Sequence, residues 1–89
     1  MLNKIKGLDN NQVQATIETI EGLIEKYKWH DRKIYPYSFG INVVKYLDPF
    51  KDFESYTYMS KRHMIYEINI FIDIVNKWIE RETKKKKGA

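Results

Sequence analysis

Residues 60–83 constrain this chain more than any other stretch. On a helical wheel at about 100° per residue, Arg62, Tyr66, Asn69, Asp73, Asn76, Lys77 and Glu80 fall on one arc. Met64, Ile65, Ile68, Ile70, Phe71, Ile72, Ile74, Val75, Trp78 and Ile79 fill the rest of the circumference. A strand reading competes, because Ile68, Ile70, Ile72 and Ile74 alternate with Asn69, Phe71 and Asp73. The helix prevails: the polar residues hold one helical phase from Arg62 to Glu80, and a strand would send them to both faces. A helix apolar around so much of its girth needs cover from several directions. The expected fold class is therefore all-α, a small bundle of three to four helices with a long apolar C-terminal helix. With 89 residues and no cysteine to form a disulfide, a second copy is the simplest source of further buried area. The reading predicts a homodimer through this last helix.

Upstream, Asp9 stands as an N-cap with Gln12 three residues on, a capping box, and Leu8 with Val13 forms the hydrophobic staple. Val13, Ile17, Ile20, Leu23, Ile24 and Tyr27 recur at intervals of three and four, which predicts a helix from about Asn10 to Lys28. Gly22 interrupts it at a cost of about 1 kcal/mol against alanine, and close approach of a neighbouring backbone would account for it. The periodicity stops from Trp29 to Phe39, a loop in which Pro36 keeps Tyr35 out of helical geometry. Ser38 is placed to cap a short second helix through Tyr46 or Leu47, burying Ile41, Val44 and Leu47. Asp48-Pro49 ends it and starts a third short helix, with Phe50, Phe53 and Tyr56 toward the core. The expected organisation is one helical domain over residues 1–83 and a disordered lysine-rich tail over 84–89.

Sixteen Lys and Arg against twelve Asp and Glu leave a net charge of +4, a mild lean toward acidic partners. Part of that excess lies in Lys84 to Lys87. The first residues lack the apolar core of a signal peptide, and no uncharged run is long enough to span a bilayer. The expected location is cytoplasmic, with no membrane association. The absence of cysteine excludes thiol catalysis and Cys-based zinc sites. A small, cysteine-free chain rich in Lys, Ile, Asn and Tyr fits a viral or mobile-element accessory protein from an AT-rich genome.

Glu18, Glu21 and Glu25 make an acidic stripe on the first helix, as magnesium or di-metal sites of bundles require. The wheel turns that stripe away from the apolar face, so a solvated surface is expected and no metal is assigned. Asn69, Asp73, Asn76 and Glu80 form a second polar row, read as a wetted stripe bordering a groove, with Asp73 pairing to Lys77. His30 and His63 stand in basic settings with no nucleophile at a defined spacing. The segment Lys26 to Tyr37 interleaves cations with aromatics outside any periodic pattern. Aromatic faces stack on bases while Lys and Arg meet phosphates, so Lys28, Trp29, Arg32, Lys33, Tyr35 and Tyr37 are the candidate ligand-binding residues. A competing reading has Trp29 and Tyr35 as core plugs with the cations around them.

Two local likenesses bear on function. Glu18-x-x-Glu21 resembles the first half of the paired-acid pattern of helical nucleotide pyrophosphohydrolases, but asparagines stand where the second acidic pair belongs. Gly40 to Leu47 is similar to a short stretch of small phage nucleotide-kinase-like proteins, but Asp48-Pro49-Phe50 replaces the basic run that follows there. Neither assigns a family, and no P-loop glycine pattern occurs. The expected activity is non-catalytic recognition of a nucleotide or nucleic acid through the basic–aromatic loop, without a cofactor. The alternative is a protein-interaction module, an inhibitor or adaptor using exposed aromatics and the acidic helix face. An enzyme comes last, because no acid, base and nucleophile converge.

Overall fold

The computed structural model describes residues 1–34 and 40–88, with the backbone alone for 85–88. Three helices carry the fold: α1 (Asn10–Tyr27), α2 (Val43–Lys51) and α3 (Tyr58–Gly88). A two-residue antiparallel pair, β1 (Lys33–Ile34) with β2 (Ile41–Asn42), precedes α2, and a 3-10 turn over Phe53–Ser55 leads to α3. Ile34 faces Ile41 and Lys33 faces Asn42 in that pair. The molecule is mostly helical, as its periodicity predicts, with this small hairpin ladder added.

Helix α1 starts where the sequence signals it. The Asp9 carboxylate accepts from the Asn11 N–H at 2.9 Å, satisfying one of the free amides of the first turn. Of the staple pair only Val13 is buried, while Leu8 stays exposed, and Ile5 joins Val13 in the core. Val13, Ile17, Ile20 and Ile24 make the buried stripe. Gly22 has open space around its missing side chain, so no neighbouring backbone approaches it. The helix ends at Lys28, which takes left-handed dihedrals (φ 60°, ψ 47°) and turns the chain so that the Trp29 N–H donates to the Ile24 carbonyl.

The middle of the chain departs most from expectation. Asn42 caps α2, its side chain accepting from the Val44 N–H at 2.9 Å, whereas Ser38 lies outside the described residues. Pro49 does not end that helix but sits inside it. It falls in the last turn, and the helix continues only to Lys51, so a single lost ladder bond is tolerated there. The buried face of α2 is Val43, Tyr46, Leu47 and Phe50, not Ile41 and Val44, both of which stay exposed. The residues that meet the core stand at i, i+3, i+4 and i+7 from Val43, so the stripe runs through Tyr46 and Phe50 and leaves Val44 outside. The expected third helix is reduced to the 3-10 turn. Phe53 is buried there, and Tyr56 points outward.

Helix α3 opens on Thr57, whose hydroxyl accepts from the Ser60 N–H at 3.3 Å and whose carbonyl accepts from Lys61 N–H at 2.8 Å. Its buried residues are Ile68, Phe71, Ile72, Val75 and Trp78, one stripe rather than a full girth. Met64, Ile65, Ile74 and Ile79 are half-covered by the same core. Of the apolar residues on the wheel, only Ile70 stays exposed, at 36 %. The expectation of a helix apolar around most of its girth is therefore corrected: α3 is long but amphipathic, with one buried stripe. The chain supplies its own cover from α1, α2, the Trp29 turn and residues 1–6, so burial of this helix no longer calls for a second copy. No helix among the described residues is long and apolar enough to cross a membrane.

Candidate functional site

The chain turns sharply out of the left-handed Lys28 and drives Trp29 inward, to 1 % exposure. Its indole stacks on Tyr27 (centroids 5.1 Å apart, 28° between planes) and meets Trp78 edge-on at 5.2 Å. Arg32 closes the arrangement. Its guanidinium carbon lies 5.5 Å from the Trp29 ring and 5.1 Å from the Trp78 ring, and one nitrogen reaches Glu82 at 3.5 Å. A guanidinium over an indole face is worth about 0.5–1 kcal/mol when exposed and about 2 kcal/mol when desolvated, and Arg32 is partly covered. It fastens residues 29–34 to the last turns of α3 that precede the lysine run. The backbone secures the same segment: Arg32 N–H donates to the Trp29 carbonyl and Val43 N–H to the Arg32 carbonyl, each at 2.9 Å. The Asn42 amide donates to the His30 carbonyl at 2.7 Å.

Of the residues predicted to bind ligand, Trp29 is a core plug with its faces covered, and Arg32 is committed to two indoles and a carboxylate. Lys28 and Lys33 are exposed. Tyr35 and Tyr37 lie outside the described residues. Sequence reasoning did not anticipate the neighbour that the clamp brings in. Trp29 and Arg32, from the turn that carries Lys28 and Lys33, meet Trp78 and Glu82 of α3, about fifty residues later in the chain and next in sequence to Arg81. Lys28, Lys33 and Arg81 form no ion pair among the described residues. Lys84 pairs loosely with Glu80 at 3.7 Å. The sequence held one clue, a lone Arg between aromatics with a Trp–x–x–x–Glu pair, Trp78 and Glu82, on a distant helix.

Two of the three carboxylates of the acidic stripe are engaged, and Glu18 is exposed. Glu21 binds Lys51 at 3.1 Å, joining α1 to α2 and holding the Lys51 pKa above its ordinary value. Glu25 accepts from His30 at 2.8 Å, and the hydrogen bond and charge of that imidazole hold its carboxyl below the usual 4.5. Gln14 donates to the Phe50 carbonyl at 2.9 Å. Among the described residues no three His, Cys, Asp or Glu gather as a metal site.

The second polar row does more than border solvent. Asn69 and Asn76 grip residues 1–6, and Asp73 pairs with Lys4 at 3.3 Å rather than with Lys77. A separate apolar groove of about 590 Å³ opens between α2 and the start of α3, lined by Tyr46, Phe50, Tyr56, Met59 and Met64, with His63 and Glu67 paired at its edge. Comparison with protein-family models, with curated proteins and with solved structures finds no match to this chain.

Proposed function

We propose that this protein is a non-catalytic binder of phosphate-bearing ligands, nucleic acid above all, acting through a cationic end of the molecule. The single observation behind this is the Arg32 clamp, which ties the Lys28–Lys33 turn to the end of α3. Lys26, Lys28, Lys33 and Arg81 are the ligand-facing cations, while Trp29 and Arg32 are positioning residues. Because the indole has no open face, contact is with phosphates rather than bases, and little sequence preference is expected.

Fluorescence anisotropy of labelled single strands and duplexes across a salt series tests the proposal. Affinity should fall steeply with salt, with a log–log slope of about −0.9 per phosphate neutralised on duplex. Reversing Lys28, Lys33 and Arg81 together to Glu should weaken binding more than about tenfold and flatten that slope by about one per cation removed. Binding that is insensitive to salt, or unchanged by the reversal, overturns it. The competing reading, a protein-interaction module, draws on the apolar groove beside Tyr56 and Met59. Association of that kind would weaken little with salt.

A further inference from the structure

We infer that the face of α3 bearing Asn69, Asp73 and Asn76 is a peptide-binding track, and that the segment seated on it exchanges between two copies of this chain. Asn76 accepts from the Leu2 N–H at 2.8 Å and donates to the Leu2 carbonyl at 3.0 Å. Asn69 does the same to Ile5, accepting at 2.8 Å and donating at 3.1 Å. Each asparagine therefore pairs with both polar groups of one residue, as a neighbouring strand does. The spacing fits. Seven helical residues rise about 10.5 Å, and three extended residues span about 10 Å. Two asparagines two turns apart thus meet residues i and i+3 of an extended chain in register.

Side chains add selectivity to this backbone grip. Ile5 sinks to 5 % exposure, Leu2 packs partly against the core, and Lys4 meets Asp73. The track accordingly takes an extended segment with aliphatic residues at its first and fourth positions and a cation at its third. Leu2-Asn3-Lys4-Ile5 has that pattern, and every further copy of the chain carries it.

The segment is held separately from the rest of the fold. Among the described residues, its backbone makes no backbone–backbone hydrogen bond to any other element. It joins α1 through Gly7, whose φ of +72° forms a sharp elbow with nothing within 4 Å of the missing side chain. Release of residues 2–5 breaks four side-chain-to-backbone bonds and the Lys4–Asp73 pair and withdraws Ile5 from the core, while the backbone bonds of the helices are untouched, the kind of local opening that precedes global unfolding. An emptied track then accepts the same segment from another copy through the same contacts. Such a swapped pair adds little apolar area, so it is driven by concentration.

The lack of native cysteine makes the test direct. One chain carries Lys4→Cys and a second, distinguishable by mass, carries Asp73→Cys; both sites are exposed. After incubation together at high concentration, a short bis-maleimide joins thiols held close. The expected result is a heterodimer, cross-linked between the two introduced thiols, severalfold more abundant than either homodimer. It should increase with Gly7→Val, which disfavours the elbow, and fall when Asn69 and Asn76 are both changed to Ala. A heterodimer no more abundant than the homodimers, or one indifferent to the asparagines, overturns the inference. So does sedimentation showing only monomer for both the parent and the Gly7→Val protein at the same concentration.

Discussion

Two non-helical stretches are fastened to α3, and they are fastened by opposite means. Residues 29–34 are held through side chains of fixed identity: an indole between aromatic neighbours and a guanidinium across two rings. Residues 2–5 are held mostly through their backbone, which two asparagines grip, with Ile5 and Lys4 adding side-chain contacts. The first attachment tolerates almost no substitution but draws large energy from buried aromatic area. The second constrains side chains less, at Leu2, Lys4 and Ile5, and draws on a few hydrogen bonds, each worth about 1 kcal/mol net. A rigid, side-chain-specific joint suits a surface that must present fixed cations. A backbone-reading joint suits a segment that is to be exchanged.

The contrast is most easily broken at Trp29. Trp29→Ala should cost about 3–5 kcal/mol by removing a fully buried aromatic, read as a fall in the urea midpoint of global unfolding. A loss under about 1 kcal/mol would mean that the turn is not part of the core. Asn69→Ala should cost about 1–2 kcal/mol by leaving the Ile5 backbone groups without partners. Here the effect should be local: amide exchange at Leu2 and Ile5 should quicken while Ile17 and Ile20 keep their protection. Uniform loss of protection across α1 would show that residues 1–6 are cooperative with the core. The smallest effect is expected in acid, at the Glu25–His30 contact beside the turn. Because the folded carboxyl lies below its ordinary 4.5, its contribution is present above that pH and disappears as pH falls through the lower folded value. A carbon-detected titration of Glu25 should show the depression, and His30→Ala should return it toward the ordinary range.

Much of the helical frame was legible from local signals. Asp9 as a cap and the Val13–Ile17–Ile20–Ile24 stripe place α1 to within a residue, because capping and periodicity are properties of neighbouring residues. The α2 region misled because Asp48-Pro49 carries a strong local stop signal. The core that buries Tyr46, Leu47 and Phe50 outweighs one missing amide. The candidate site was legible in composition and not in role. Cations and aromatics from Lys26 to Lys33 stand out in the sequence. Only packing distinguishes Lys28 and Lys33, which face solvent, from Trp29, which is buried, and Arg32, which is held over two indoles.

By itself, the sequence determined a cysteine-free helical chain, the apolar stripe of α1 and a cluster of positive charge after it. Periodicity and capping act over a few residues, so they are written locally. The tertiary structure alone decided what covers α3, which cations share an end and what Asn69 and Asn76 hold. Those outcomes depend on segments seventy residues apart meeting in register, with Leu2 on Asn76 as the plainest case. A polar residue on a helix face looks the same in sequence whether its partner is water or another part of the chain. Burial and hydrogen-bond geometry tell the two apart.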